Sequence, residues 1–439
     1  MPQATVIGGG LAGTEAAWQL ASRGIGVTLF EMRPVRTTDA HETDRLAELV
    51  CSNSLKSDQH PSASWLLKEE LRRLDSLLMR AASAARVPGG NALTVDRVTF
   101  ADEVTRAIES HPRIDVRREE ITRLDRPGVT IVATGPLTSG ALAGEIAHLT
   151  GSERLFFYDS ISPIVDAHTI DRSIVFAASR YDKSLDGTTG DYLNCPFTKQ
   201  EYERFVDALL AAEAAEAHIP DDVPYFEACL PIEEIARRGR DTLRFGPMKP
   251  TGLTDPRTGR WPYAAVQLRQ ENLRADSYNL VGFQNHLRFG EQKRVLRMIP
   301  GLENAEFLRY GQIHRNTYIN APALLDATLQ LRTRRDIFFA GQISGVEGYV
   351  ESIATGLAAG TIAAAQILGE TPRPFPRETA IGSLCHYISH ADPRHYQPAN
   401  IAFDLFPPLD PNPRDRKERQ TAVCARALEK LEQYRAVYV

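Results

Sequence analysis

An apolar run, Ala4–Ile7, leads into three glycines, then into a stretch with helical spacing from Gly13 to Arg23 that Gly24 stops, then into a second apolar run, Val27–Phe30. This succession of periods predicts strand, turn, helix, strand. Over residues 63–86 the spacing of Leu67, Leu71, Leu74 and Leu78 predicts one amphipathic helix, ended by Gly89 and Gly90. Val129–Ala133 predicts another buried strand, running into Thr134, Gly135 and Pro136. From residue 155 onward the texture changes to short β-rich runs at 174–178, 263–268 and 278–283, parted by Pro and Gly turns. One helix interrupts them, starting at Thr198 with Glu201 placed to complete a capping box. Beyond residue 335 the opening style returns: a strand at Ile337–Ala340, a Gly-rich turn at Gly341–Gly348 and an Ala- and Gly-rich helix over 349–368.

The two ends therefore share a style that the middle lacks. The expected architecture is α/β: a Rossmann-like domain assembled from residues 1–154 and 331–439 around a central α+β insertion at 155–330. Pro-rich stretches at 371–376 and 406–413 mark loops around the C-terminal segment. A chain of 439 residues, 43% hydrophobic and 24% charged, has the apolar mass for two ordinary globular cores. Its net charge of −5 gives no global sign of nucleic-acid binding, so DNA is not expected and any RNA contact needs a local patch. The cysteines at 51, 195, 229, 385 and 424 form no CxxC pair and no zinc spacing with histidine. That set predicts reduced thiols, no metal and a cytoplasmic protein. No basic run precedes the first strand, and the most apolar stretch, near 353–368, is too short and too rich in Ala and Gly for a bilayer. Neither a signal peptide nor a membrane segment is expected. The oligomeric state is not legible, with a monomer as the default.

Gly8, Gly10 and Gly13 stand as GxGxxG after a strand and at the opening of a helix, with Glu31 closing the second strand. In that setting the first glycine makes a tight turn, the second admits a pyrophosphate, and the third lets helix and strand pack closely. The helix N-terminus attracts phosphate, and the acid suits ribose hydroxyls rather than a 2′-phosphate. FAD fits better than NAD, because the distant AGQISGVEGY turn and the ATG turn at 133–135 offer further loops to the same ligand.

Two thiols stand beside helix-breaking features. Cys51, in RLAELVCSNSLKSD, follows an apolar run and precedes Ser52, Asn53 and Ser54, a polar turn that places it where a helix breaks. Cys229, in YFEACLPIEEIARRG, precedes Pro231 at the first helical position, with Glu233 and Glu234 in the first turn. A thiol at a helix start is biased toward thiolate. The alternative for either cysteine is a small buried hydrophobe, and the residues alone leave both readings open. Cys195, Cys385 and Cys424 are read as core. His314, between Gln312 and Asn316, could stack on a flat ligand or serve structure only. The insertion also carries Arg237, Arg238, Arg240, Arg269, Arg288, Lys293, Arg294, Arg297 and Arg309. These are solvated faces, or a grip on an RNA loop by phosphate contact and stacking.

The segments VIGGGLAGTEAA, VCSNSL, DYLNCPFT, FEACLPIEEIARRG, FGPMKPTGL, AAVQLRQEN, IPGLENAE, HRNTYINAP and AGQISGVEGYVES resemble the folate- and FAD-dependent tRNA (uracil-5-)-methyltransferases along nearly the whole chain. The resemblance implies methylation of the T-loop uridine of tRNA. Methylenetetrahydrofolate would supply the carbon, reduced FAD the electrons, and NADH or NADPH would recharge the flavin. Carried over residue by residue, Cys229 is the nucleophile and Cys51 its partner or proton handler. His314, Arg315 and Asn316 meet the folate. Gly8, Gly9, Gly10, Leu11, Ala12, Gly13, Glu31, Arg33, Gly135, Gly341, Gln342, Gly345 and Glu347 meet FAD, and Asn53 and Ser54 border the flavin and nicotinamide pocket. The competing readings are a flavin oxidoreductase acting on a small molecule and the larger flavoproteins that modify the tRNA wobble uridine. The FEAC and HRNTY segments and the shorter chain separate it from the latter.

Overall fold

A computed structural model describes residues 2–38, 40–151, 155–183, 190–215 and 230–438, without the side chains of 155–160, 313–315 and 438. Its main sheet has six strands in the order Gln330–Leu331, Arg334–Phe339, Val129–Val132, Gln3–Ile7, Gly26–Glu31 and Ile114–Arg118. All neighbours are parallel except the first pair. Val129–Val132 is buried at every position, as a central strand covered on both faces must be. The helix Leu11–Ser22 packs on this sheet and against the long helix Tyr349–Ile367. A side chain at Gly356 would come within 2.3 Å of the Ala12 carbonyl oxygen, and one at Gly360 within 2.7 Å of that of Ala16. Two small residues one turn apart therefore set the spacing of the two helices, and that spacing brings the Gly341 loop beside the Gly8 loop. The long helix is apolar enough to cross a membrane by length and composition, yet most of it is buried in this core.

The insertion is an antiparallel sheet with strand order Phe176–Ala177, Tyr192–Phe197, Ala264–Gln270, Ser277–Leu280, Ile164–Asp166 and Phe307–Arg309. It has its own core around Phe197, Phe205, Val266 and Phe283. The helix Lys199–Leu210 starts at Thr198 with both halves of the capping box made. The strands Leu155–Ser160 and Ile313–Tyr318 pair with each other and carry the chain out to the insertion and back. The expected return at residue 330 needs moving: Tyr318, Ile319, Leu325 and Leu329 already belong to the first core, so the insertion ends on the strand Ile313–Tyr318.

Three local expectations change. The helix expected over 63–86 is two, Ala63–Arg73 and Leu77–Ala84, because Asp75 takes a positive φ of 55° and Ser76 caps a new start. The leucine period survived that break because Leu67, Leu71, Leu74 and Leu78 are all buried in one core. No helix runs into Cys51; residues 45–53 form a turn and irregular loop before the strand Ser54–Ser57. Pro231 is the cap of the short helix Ile232–Arg237 rather than its first residue.

Candidate active site

A cavity of about 140 Å³ opens at the carboxyl ends of the parallel strands, lined by Gly8–Ala12, Glu31, Arg33, Thr134, Gly135, Gly341 and Gln342 among others. Backbone packing shapes it. Gly8 has φ 109°, and a Cβ there would sit 2.4 Å from the Ala133 carbonyl oxygen. A Cβ on Gly13 would sit 1.8 Å from the Gly8 carbonyl oxygen. Across the cavity, a Cβ on Gly341 would meet that of Ala12 at 2.8 Å. Gly10 precedes the helix in extended conformation and no side chain caps it, which leaves the first-turn amides to a ligand anion. Such a glycine cradle at a helix start fits a pyrophosphate-bearing dinucleotide.

Glu31 does more than await a ribose. Its Oε2 accepts from the Gly9 amide at 2.8 Å, and its Oε1 accepts from the Arg33 amide at 3.0 Å and from Arg33 Nε at 2.9 Å. Burial alone would push this carboxyl up, but the Arg33 guanidinium and these bonds outweigh it and hold it below its ordinary value. Arg33 also reaches Glu48 at 3.1 Å. Two acids around one arginine leave this end of the cavity anionic, which suits ribose hydroxyls and disfavours a 2′-phosphate.

Cys51 is half-buried beside the cavity wall, in a loop held at nearly every residue. Tyr349 lines the cavity, and its Oη accepts from the amides of Cys51 at 2.8 Å and Ser52 at 3.0 Å. Arg97 donates to the Leu49 carbonyl at 3.1 Å and the Cys51 carbonyl at 3.4 Å. From the insertion, Arg309 donates to the Val50 carbonyl at 3.2 Å. Arg269 donates to Ser52 Oγ and Asn53 Oδ1, both at 2.8 Å. Burial pushes the Tyr349 hydroxyl up, so it stays neutral and able to accept both amides.

Of the residues expected at the cofactor, Gly8, Gly9, Gly10, Leu11, Ala12, Glu31, Arg33, Gly135, Gly341 and Gln342 line the cavity. Gly13 supports it by packing. Asn53 and Ser54 do not line it. Asn53 is fully buried, and its amide donates to the Gln270 carbonyl at 2.8 Å, so it joins the two domains instead. Gly345 and Glu347 also stand off the wall: a side chain on Gly345 would strike Tyr396, and Glu347 accepts from Gln342 Nε2 at 2.8 Å. Cys229 lies outside the described residues, as do the side chains of His314 and Arg315. The backbone of their strand is placed. Thr317 donates to the Pro136 carbonyl and Ile319 to that of Ile343, both at 2.9 Å, so the strand runs beside two loops that shape the cavity. Asn316 is buried.

Arg237, Arg240, Arg288 and Arg294 pair with Glu234, Asp207, Glu213 and Glu291, and Arg297 donates to the Ala305 carbonyl. Arg269 and Arg309 turn inward to the Cys51 loop. Sequence reading missed Tyr349, Arg97 and this inward role of Arg269. Only the GYVES motif around Tyr349 hinted at any of them, because their contacts join distant parts of the chain.

Residues 3–371 match the family model described as glucose inhibited division protein A. The chain is 70% identical to the Solibacter usitatus protein named methylenetetrahydrofolate--tRNA-(uracil-5-)-methyltransferase TrmFO, over 99% of both chains. The protein of the same name from Koribacter versatilis is 62% identical over 97% of this chain and 96% of its own. That from Symbiobacterium thermophilum is 58% identical over 98% of this chain and 96% of its own. The solved structure of Aquifex aeolicus GidA, 18% identical, superposes with a TM-score of 0.69 over 99% of this chain and 75% of that one, a likeness that speaks to the fold. Motifs, glycine-cradled cavity and full-length similarity agree: the chain belongs to the glucose inhibited division protein A family and, within it, groups with the methylenetetrahydrofolate--tRNA-(uracil-5-)-methyltransferases.

Proposed function

We propose that this protein methylates carbon 5 of the T-loop uridine of tRNA. Methylenetetrahydrofolate is the carbon donor, FAD the bound redox group, and NADH or NADPH the source of electrons. What supports this reading most is the 70% identity, over 99% of both chains, to a relative whose name states the reaction class. The glycine cradle and the acid at Glu31 fit the cofactor that this chemistry needs.

Gly8 to Gly13 and the helix start would hold the pyrophosphate, Glu31 and Arg33 the ribose end, and Gly135, Gly341 and Gln342 the remaining wall. Reduced FAD supplies the electrons that take the transferred carbon from the methylene to the methyl level. Carbon 5 of uracil becomes a nucleophile only when a thiolate adds at carbon 6 and drives an electron pair into the ring. Cys229 is assigned that attack. Cys51, held by Tyr349 and Arg97 beside the cavity, is assigned the proton lost from carbon 5. His314, Arg315 and Asn316 are assigned to the folate.

Tritium release from 5-tritiated uridine in T-loop RNA tests the reading, run with methylenetetrahydrofolate and NAD(P)H and, separately, with S-adenosylmethionine. Release with the folate alone is expected. Release only with S-adenosylmethionine sinks the reaction class, and full release by the Cys229→Ala variant removes Cys229 as the nucleophile.

A further inference from the structure

Two buried guanidiniums bracket the Cys51 loop from opposite domains. Arg97, on the helix Arg97–Glu109, reaches the carbonyls of Leu49 and Cys51. Arg269, on the insertion strand Ala264–Gln270, reaches the side chains of Ser52 and Asn53. Glu271, two residues beyond Arg269 on the same segment, is the carboxylate that pairs with Arg97. It lies 2.7 Å from Arg97 Nε and accepts an aligned bond from Arg97 Nη2 at 3.1 Å. Asn279 uses the same carboxylate. Among the described residues Arg269 forms no ion pair, so two buried cations share one anion.

Among the described residues, Asp96, Tyr349 and Arg309 with Glu42 also stand around the loop, and Asp96 is turned to the Leu273 amide. Tyr349, on the long helix, is held neutral by burial. Arg309 adds a third cation, paired with Glu42 at 3.4 Å. A buried charge without a counter-ion is strongly disfavoured. Cys51, whose carbonyl Arg97 holds and whose neighbours Ser52 and Asn53 Arg269 holds, carries an ionisable thiol in the loop between the two cations.

We propose that Arg269, backed by Arg97, is a positioning residue that holds Cys51 as the thiolate before any substrate binds. The idea rests on Cys51 serving the reaction proposed above and adds the device that charges it. It also assigns the join between the two domains a chemical role: the insertion delivers the cation that activates a thiol of the other domain.

The test is site-resolved alkylation of the full-length, flavin-loaded protein with iodoacetamide across pH, with Cys51 and Cys229 peptides quantified separately by mass spectrometry. In the unmodified protein the Cys51 rate should reach half its plateau well below the ordinary thiol value of about 8.5. A midpoint at or above 8.5 overturns the proposal without any variant. In Arg269→Met the Cys51 rate at pH 7 should fall about tenfold for each unit its midpoint rises, and Arg269→Lys should recover most of it. Equal Cys51 profiles in Arg269→Met and the unmodified protein, with flavin absorbance retained, also overturn it. The readout does not depend on methylation. An Arg269-dependent midpoint in a protein that makes no methylated RNA would leave this inference standing and remove the proposed function.

Discussion

The dinucleotide cavity and the Cys51 loop meet at Val50 and Tyr349, yet they are built by opposite means. The cavity is made by what is missing: no side chain at Gly8, Gly13 or Gly341, and none at Gly356 or Gly360 to hold the helices apart. Its walls are backbone, its shape follows from close packing, and its polar groups are amides left for a ligand. The Cys51 loop is made by what is present, guanidinium and hydroxyl side chains from four distant segments that satisfy its carbonyls, amides and hydroxyl. A cavity of the first kind tolerates no added atom. A loop of the second kind tolerates no lost charge.

The sharpest way to break the contrast is Gly13→Val. With a Cβ 1.8 Å from the Gly8 carbonyl the turn and helix must part, and purified protein should retain no visible flavin absorbance. Yellow protein with normal affinity would show that the cradle is not set by packing. Next is Glu271→Gln, which keeps shape and removes the one shared anion. Leaving Arg97 and Arg269 without it should cost on the order of 3–5 kcal/mol of unfolding free energy, read by denaturant titration, while Cys51 alkylation speeds up. An unchanged midpoint of unfolding would mean that the ring of charge is not structural.

The smallest effect concerns acids buried away from both regions. Glu70 is wholly buried and accepts the Ala380 and Ile381 amides at the start of the helix Ala380–His390. Burial pushes its carboxyl up to about 8, against the pull of those amides. The folded form then keeps a proton that the unfolded chain has lost, so the stabilisation is complete below about 4.5 and is lost as pH rises toward 8. Stability measured between pH 5 and 7 should therefore fall by up to about 1.4 kcal/mol per unit from this group. Glu70→Gln should flatten that part of the slope, and an identical slope in the variant would place the proton elsewhere.

How far each region could be read from the chain follows from how it is built. The first strand, the turn glycines, Leu11–Ser22 and Glu31 are neighbours in sequence, so their periods and spacing describe the cradle directly. The capping box at Thr198 was legible for the same reason. The leucine period over 63–86 misled because leucines of two successive helices enter one core and carry one continuous period, and the break at Asp75 leaves no mark in it. Asn53 looked like a pocket residue because it follows Cys51 in a polar turn, yet its partners are on the insertion strand. Arg269 looked like one more surface cation because charge on a strand does not say which way the strand faces.

Sequence alone determined the strand-turn-helix cradle, the inserted architecture and the family, since local periodicity and long contiguous motifs carry them. Only the tertiary structure decided what surrounds Cys51. Its amide partner Tyr349 lies 298 residues away and the cation on Ser52 lies 217 away. Contacts at that separation exist because two domains pack together, and burial there turns ordinary arginines and one carboxylate into a single charged site.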